Sequence, residues 1–204
     1  DYVVSDYADN TNVGTADCTI TFKGNYACSS TAHFAINPAA IAAPSYTPSF
    51  KYDGKTHVSV DPGTGEWYTV SDGSATNAGT YTAKAVLKDK ANTTWGGGST
   101  EDRTYTWTIT PAVATVTANA AFKEYGAADP KLSAVVTGLV NGESESLISY
   151  ALSRKAGENV GDYAITASGA TQQSNYVVTY VPATFKIVSI DASNASIDPV
   201  PTQI

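Results

Sequence analysis

The chain has 204 residues, of which 42% are hydrophobic and only 15% are charged, and its formal net charge is −7. No group of Lys and Arg residues forms the cationic face that a polyanion requires, so we expect no nucleic-acid partner. An apolar run of about 18 residues is also missing, and we expect no membrane insertion. The abundance of Thr, Tyr and Val favours strands over helices, because such side chains suit a pleated surface.

The sequence repeats one pattern three times. Each copy starts with Asn-X-Gly and continues as a strand of alternating polarity, followed by an Asn near an aromatic residue. Since Asn and Gly tolerate positive φ, each bend is predicted to open a strand with one buried face. The bends occupy residues 12–14, 77–79 and 159–161, and the copies end on the aromatic-X-Ile segments Phe34–Ile36, Trp107–Ile109 and Phe185–Ile187.

The front half of the pattern occurs only twice, as FKYDGK at 50–55 and FKEYGA at 122–127. We therefore predict four segments. Residues 1–40 are the C-terminal half of a truncated repeat, 41–112 and 113–188 are full repeats, and 189–204 are a tail or linker. Because residues 1–40 lack front strands, their sheet is expected to expose an edge that allows weak self-association.

Cys18 and Cys28 flank the segment TITFKGNYA. A three-residue loop at residues 22–24, with Gly24 in the left-handed conformation, would place the two cysteines opposite each other in a hairpin. Their Cβ atoms would then be near disulfide distance, and we predict a Cys18–Cys28 bridge. Two reduced cysteines packed as small hydrophobic residues are the alternative.

Chemistry-bearing motifs are few. His33 and His57 lie in different repeats and cannot complete a zinc site with the cysteines unless the repeats fold onto each other. Glu143 and Glu145 form a carboxylate pair, but a repeat this small leaves little room for a glycosidase cleft. The sequence therefore predicts no catalytic residue and no cofactor.

Four aspartates fall in predicted turns, where carboxylates could bind calcium. They do not follow the Asp-X-Asp-X-Asp spacing of an oxygen-rich site, and we predict no metal. An aspartate in a turn usually caps its own backbone. The four residues are Asp53, Asp61, Asp72 and Asp129.

Trp67 and Tyr68 are the predicted ligand contacts. Exposed aromatic rings near loops can stack on sugar rings, whereas Trp95 and Trp107 align with core positions and are predicted to be buried. A glycan or a host surface protein is the partner that such a site would bind.

Several motifs resemble, in order, the tandem repeats of bacterial surface adhesins known as MBG (mostly β, glycine-rich) and YDG modules. The middle copy contains YDG at 52–54 and NAGTYT at 77–82, and resembles the YDG type. The third copy contains YGAADPKL, GLVNGES, GENVGDYAI and NYVVTY, and resembles the MBG type. The resemblance implies extracellular, cell-surface-attached, all-β repeats and carries no catalytic or binding residues.

We predict an all-β fold of small antiparallel β-sandwich modules, immunoglobulin-like, in an elongated array. β-grasp-like modules are the alternative fold. The predicted function is a non-enzymatic stalk or adhesion segment of a bacterial surface protein, which spaces or presents a binding tip. The alternatives are a direct binder of glycan or host protein and an accessory module of an enzyme.

Overall fold

A computed structural model describes residues 1–26 and 28–190 of the chain. The chain forms two compact units. Of the described residues, unit 1 contains those in 1–50 and 56–109, and unit 2 contains 51–55 and 110–190. Most of the predicted tail, from residue 191, lies outside the described residues, and the predicted repeat boundaries stay a prediction.

Unit 1 consists of short strands, two of which (β5 and β11) end one residue inside unit 2. The strands are β1 (Tyr2–Ala8), β2 (Gly14–Phe22), β3 (Ser29–Ile36), β4 (Ala39–Ile41), β5 (Ser49–Lys51), β6 (His57–Val58), β7 (Tyr68–Ser71), β8 (Ser74–Ala75), β9 (Gly79–Leu87), β10 (Thr93–Trp95) and β11 (Arg103–Thr110). They form a three-stranded sheet β1-β2-β3, a four-stranded sheet β5-β11-β9-β7 and the pairs β4–β10 and β6–β8. A hydrophobic cluster of Ile41, Ala85, Leu87 and Trp95 is buried in this unit.

Unit 2 is a pair of four-stranded sheets. Its strands are β12 (Ala112–Ala118), β13 (Ala121–Glu124), β14 (Ala134–Thr137), β15 (Ala151–Arg154), β16 (Gly161–Ser168), β17 (Gln172–Gln173), β18 (Tyr176–Val181) and β19 (Ala183–Val188). The sheet orders are β14-β12-β18-β17 and β13-β19-β16-β15. Ala118 from the first sheet packs with Ile165, Phe185 and Ile187 from the second, so the core lies between the two sheets.

The all-β prediction is confirmed. A single 3-10 turn, Glu145–Leu147, is the helical element of the described residues. The two facing sheets of unit 2 agree with sandwich-like modules rather than with the β-grasp-like alternative. The two sheets of unit 2 are mixed rather than purely antiparallel, because β12–β18 and β13–β19 pair in parallel. In unit 1 the pair β4–β10 is parallel as well.

The Asn-X-Gly bend opens a strand in all three copies, as predicted. Strands β2, β9 and β16 begin at the glycine of the bend. Each glycine faces the isoleucine of the closing segment in the same antiparallel register, as the pairs Gly14–Ile36, Gly79–Ile109 and Gly161–Ile187. The repeats predicted from these residues are therefore repeats of one strand pair.

Backbone conformation explains the glycine of the bend. Gly14 and Gly161 have φ angles of 148° and 152°, a region that side-chain-bearing residues rarely adopt. In the second and third copies, a tyrosine two residues after the glycine then closes the bend. The Tyr81 hydroxyl donates to the Asn77 carbonyl at 2.7 Å, and the Tyr163 hydroxyl donates to the Asn159 carbonyl at 2.8 Å.

An ionic network of two largely buried cations, Lys123 and Arg154, and two exposed carboxylates, Asp129 and Glu158, stabilises one sheet of unit 2. The Lys123 side chain is only 5% exposed, and its Nζ lies 2.7 Å from Asp129 Oδ1 and also contacts Glu158. Arg154 Nε lies 2.5 Å from Asp129 Oδ2, and its Nη2 lies 2.5 Å from Glu158 Oε1. The Arg154 guanidinium also lies over the Phe185 ring, with Cζ 4.9 Å from the ring centroid. Two cations and two carboxylates thus satisfy one another, which a buried charge requires.

The network shifts the carboxyl groups toward their charged forms. The hydrogen bonds from Arg154, and then from Lys123, lower the pKa of Asp129 to about 2. Those from Lys123, and then from Arg154, lower the pKa of Glu158. A lowered folded-state pKa contributes stability above the unfolded-state pKa, and this stability is lost as the pH falls through the folded-state value.

We expect Asp129→Asn to destabilise unit 2 at pH 6, with a difference from the unsubstituted chain that shrinks between about pH 4 and pH 2 as Asp129 becomes protonated. Denaturant unfolding, followed through the methyl NMR signals of Ile165 and Ile187, measures this difference. Asp162→Asn on the neighbouring strand is the control. A destabilisation by Asp129→Asn that stays constant over this pH range would contradict the account.

Candidate functional site

Trp67 and Tyr68 lie together beside a groove of unit 1. Trp67 is 46% exposed, and Tyr68 is half-buried at the start of β7. The groove has a volume of about 430 Å³ and lies between the segments 40–45 and 61–68. That volume falls within the range of small-ligand sites, about 300–1,000 Å³.

Hydrogen bonds fix the loop that carries Trp67. The Asp61 carboxylate accepts the Gly63 N–H at 2.9 Å, and the Trp67 carbonyl accepts the Lys88 N–H at 3.0 Å. Lys88 also donates through Nζ to the Gly65 carbonyl. The backbone of this loop is therefore held by the Asp61 carboxylate and by the N–H and side chain of Lys88.

Tyr68 connects this rim to the core. Its ring packs against buried Trp95 at a centroid distance of 5.6 Å. Burial, followed by the nearby charge of Asp61, raises the pKa of its hydroxyl. Tyr68 is therefore a neutral hydrogen-bonding group at neutral pH. The same groove is also lined by the carboxylate residues Asp61 and Glu66.

Trp67 also lines a second recess of unit 1, of about 280 Å³, with Val13, Ile36 and Asn92 among its walls. An exposed aromatic face with hydrogen-bonding groups on a fixed rim can stack on a flat apolar surface and bind hydroxyl groups beside it. The prediction that Trp67 and Tyr68 contact a ligand stays a prediction.

The predicted Cys18–Cys28 disulfide is wrong for this fold. Both cysteines are free thiols, Cys18 buried and Cys28 exposed. The hairpin register pairs Cys18 with Ala32 and Thr21 with Ser29. The residue opposite Cys18 is thus four positions beyond Cys28, or roughly 13 Å along a strand. A bridge needs Cα atoms within about 7 Å.

The physical reason is the length of the turn. The prediction assumed a three-residue loop, but β2 ends at Phe22 and β3 begins at Ser29. The Phe22 N–H donates to the Cys28 carbonyl at 3.1 Å, so Cys28 lies near Phe22 rather than near Cys18.

The histidines and turn aspartates make local contacts. His33 contacts Asp17, its cross-strand neighbour, and His57 stacks on Phe50 at a centroid distance of 4.5 Å. Asp53 accepts the Lys55 N–H at 2.9 Å, the backbone capping expected of a turn aspartate. Within residues 1–26 and 28–190, no group of three or more His, Cys, Asp and Glu side chains is arranged to hold a metal ion.

A tyrosine–carboxylate cluster in unit 2 was not predicted. The hydroxyls of Tyr52 and Tyr176 both donate to the carboxylate of Glu143, and the Tyr176 hydroxyl accepts the Val140 N–H at 3.0 Å. The two tyrosine rings are buried and meet edge to face at a centroid distance of 5.7 Å. We call Tyr52, Glu143 and Tyr176 the tyrosine clasp.

The clasp keeps both tyrosines neutral. Burial, followed by the hydrogen bond to Glu143, raises the pKa of Tyr176 to about 12. The hydrogen bond to Glu143, followed by burial, raises the pKa of Tyr52. Both shifts favour the protonated hydroxyl, so the clasp contributes stability below pH 10 and loses it as the pH rises toward 12.

The structure also assigns a role to the recurring asparagine. In unit 1 the Asn92 carbonyl accepts the Ala39 N–H at 2.9 Å, and its side-chain oxygen accepts the Val13 N–H at 2.8 Å. In unit 2 the Asn175 carbonyl accepts the Ala112 N–H at 2.9 Å. The asparagine therefore binds the end of the preceding copy, and its recurrence in the sequence was the signal that could have revealed this.

The alignment of the front halves is corrected by one residue. Sequence reasoning matched Phe50 with Phe122. In the structure the Tyr52 N–H donates to the Thr110 carbonyl at 2.8 Å, and the Tyr125 N–H donates to the Val188 carbonyl at 2.9 Å. Thr110 and Val188 both follow the closing aromatic-X-Ile, so Tyr52 corresponds to Tyr125.

Residues 114–186 match the family model described as MBG domain (YGX type). The third copy is therefore similar to an MBG-type repeat, and the resemblance stated for it is confirmed. No curated protein matches the chain. In the described residues, no helix is long and apolar enough to span a bilayer.

We expect Tyr52→Phe to lower the unfolding free energy of unit 2 by about 1.5–3 kcal/mol, because it removes a hydrogen bond to a charged group. The matched control is Tyr125→Phe at the corresponding position, where we expect less than about 0.5 kcal/mol. Denaturant unfolding followed at the Ile165 and Ile187 methyl groups measures both. Equal effects of the two substitutions would exclude an energetic role for the clasp.

Proposed function

We propose that this chain is a non-enzymatic stalk or adhesion segment of a bacterial cell-surface protein, whose folded repeats space or present a binding tip. The observation that carries the proposal is the match of residues 114–186 to the MBG domain, a non-catalytic repeat family typical of surface proteins. The threefold recurrence of the Asn-X-Gly strand pair supports it, because repetition of one unit extends a protein by adding copies.

The contacts between copies suit a spacer. A repeat of about 75 residues buries only about 60% of the surface of its unfolded chain and is marginal alone. Each later copy gains contacts by binding the copy before it, through Ala39 and Asn92 in unit 1 and through Ala112 and Asn175 in unit 2. A chain of mutually supporting repeats can therefore be lengthened without a larger core.

The surface assignment predicts that an antibody raised against the chain labels intact cells of the source organism. External protease should then remove most of the labelling while a cytoplasmic marker stays intact. Labelling that appears only after the cells are lysed would contradict the proposal.

Direct binding of a neutral glycan at the Trp67 groove is the second candidate function. It is favoured by the exposed Trp67 ring beside a groove with hydroxyl and carboxylate groups on its walls. The acidic rim, with Asp61 and Glu66, disfavours anionic sugars.

For this second function we expect the full chain to retain at least one neutral glycan on an array, with affinity reduced at least about tenfold by Trp67→Ala. Gly63→Ala should also weaken binding, since the added Cβ would lie 2.6 Å from the Tyr68 hydroxyl. Tyr7→Ala, an exposed aromatic residue of β1, is the matched control. Binding that survives Trp67→Ala, or no binding at all, would contradict a glycan site at this groove and leave only the spacer role.

A further inference from the structure

Exposed apolar side chains gather at one end of unit 2, where β13 and β19 finish and β16 begins. Tyr125 follows β13 and is 50% exposed, Val160 precedes β16 and is 57% exposed, and Ile190 lies two residues after β19 and is 59% exposed. The strand register brings them together, because Glu124 pairs with Val188 and Gly161 pairs with Ile187.

The corresponding residues of the preceding copy are covered. Tyr52 matches Tyr125 through its backbone hydrogen bond, and Ala112 matches Ile190, since each lies two residues after the carbonyl that accepts that bond. Both Tyr52 and Ala112 are buried. In the following copy, Tyr52 contacts Glu143 and Tyr176, and Ala112 binds the Asn175 carbonyl.

The third residue has a counterpart whose N–H is hydrogen-bonded, although its side chain is exposed. Val160 precedes the bend glycine Gly161 as Val13 precedes Gly14, and the Val13 N–H donates to the Asn92 side chain. In the described part of the chain, the N–H groups of Val160 and Ile190 make no backbone hydrogen bond. The end of unit 2 thus presents the Tyr125 side chain and the N–H groups of Val160 and Ile190. Their counterparts in the earlier copies are bound by the copy that follows.

We propose that this end of unit 2 is a docking surface for a further repeat of the same type as residues 112–190. The Tyr125 hydroxyl donates to a carboxylate of the incoming repeat that corresponds to Glu143. The Ile190 N–H donates to a backbone carbonyl that corresponds to that of Asn175, and the Val160 N–H donates to the side chain of the same asparagine. Tyr125 buries its ring against the counterpart of Tyr176.

A second copy of this chain is not the occupant. Its own Glu143 and Tyr176 already bind its own Tyr52, and its own Asn175 already binds Ala112. The surface fits a repeat in which the counterparts of Glu143, Tyr176 and Asn175 are not yet bound to a preceding copy. A repeat that follows directly after Ile190 meets this condition. The proposal concerns how repeats attach and holds or fails independently of where the protein resides.

The test is an extended chain in which residues 1–190 are followed by a second copy of residues 113–190, with only the appended copy isotopically labelled. Hydrogen exchange of its Val140 amide, whose N–H binds the Tyr176 hydroxyl, reports on the new clasp. We expect Tyr125→Ala in the first copy to accelerate this exchange at least about tenfold, because it removes a charged hydrogen bond. Tyr52→Ala in the same chain should leave the exchange of the appended Val140 within about twofold.

Phe122→Ala is the matched control, since Phe122 is an exposed aromatic residue of β13, the strand that Tyr125 follows, and lies farther from this end. Equal acceleration by Phe122→Ala and Tyr125→Ala would overturn the proposal, as would exchange that does not respond to Tyr125→Ala. An appended copy that stays unfolded beside intact Tyr125 would contradict it too, since docking is expected to stabilise the added repeat. Concentration-dependent association of the unextended chain that is abolished by Tyr125→Ala would instead identify a second copy as the occupant.

Discussion

The fold depends on one backbone hydrogen bond that occurs twice, in which an alanine N–H donates to an asparagine carbonyl. Ala39 donates to Asn92 in unit 1, and Ala112 donates to Asn175 in unit 2, both at 2.9 Å. Each bond begins a parallel strand pair, β4–β10 and β12–β18. Because parallel strands cannot be joined by a tight turn, such a pair connects chain segments that are distant in sequence.

The alanine–asparagine hydrogen bond explains why the bend, the closing aromatic-X-Ile and the asparagine recur together in the sequence. The Asn-X-Gly bend and the closing aromatic-X-Ile set one antiparallel register, which ends the copy in the same way each time. The asparagine of the next copy then binds that end. In unit 2 the tyrosine clasp adds two hydroxyl donors on one carboxylate, and the ionic network of Lys123, Asp129, Arg154 and Glu158 fastens the sheet that carries Phe185.

The sequence was informative where structure is local. The bends, the alternating strands and the buried Trp95 and Trp107 could be read from periodicity and turn chemistry. The Cys18–Cys28 pairing could not, because hairpin register depends on turn length, which the sequence leaves open. The clasp was also missed, since Tyr52 and Glu143 are 91 positions apart and belong to different copies. The groove beside Trp67 was foreseen as an exposed aromatic residue near loops, but its walls come from residues 40–45, which no sequence pattern connects to Trp67.

The central claim is that one backbone connection ties each copy to the next, and amide hydrogen exchange of the intact chain measures it most directly. We expect the Ala39 and Ala112 amides to exchange slowly, at rates near those of the adjoining strands, and the Ile190 amide to exchange at close to the rate of an unfolded peptide. An Ala112 amide that exchanges as fast as that of Ile190 would contradict the account.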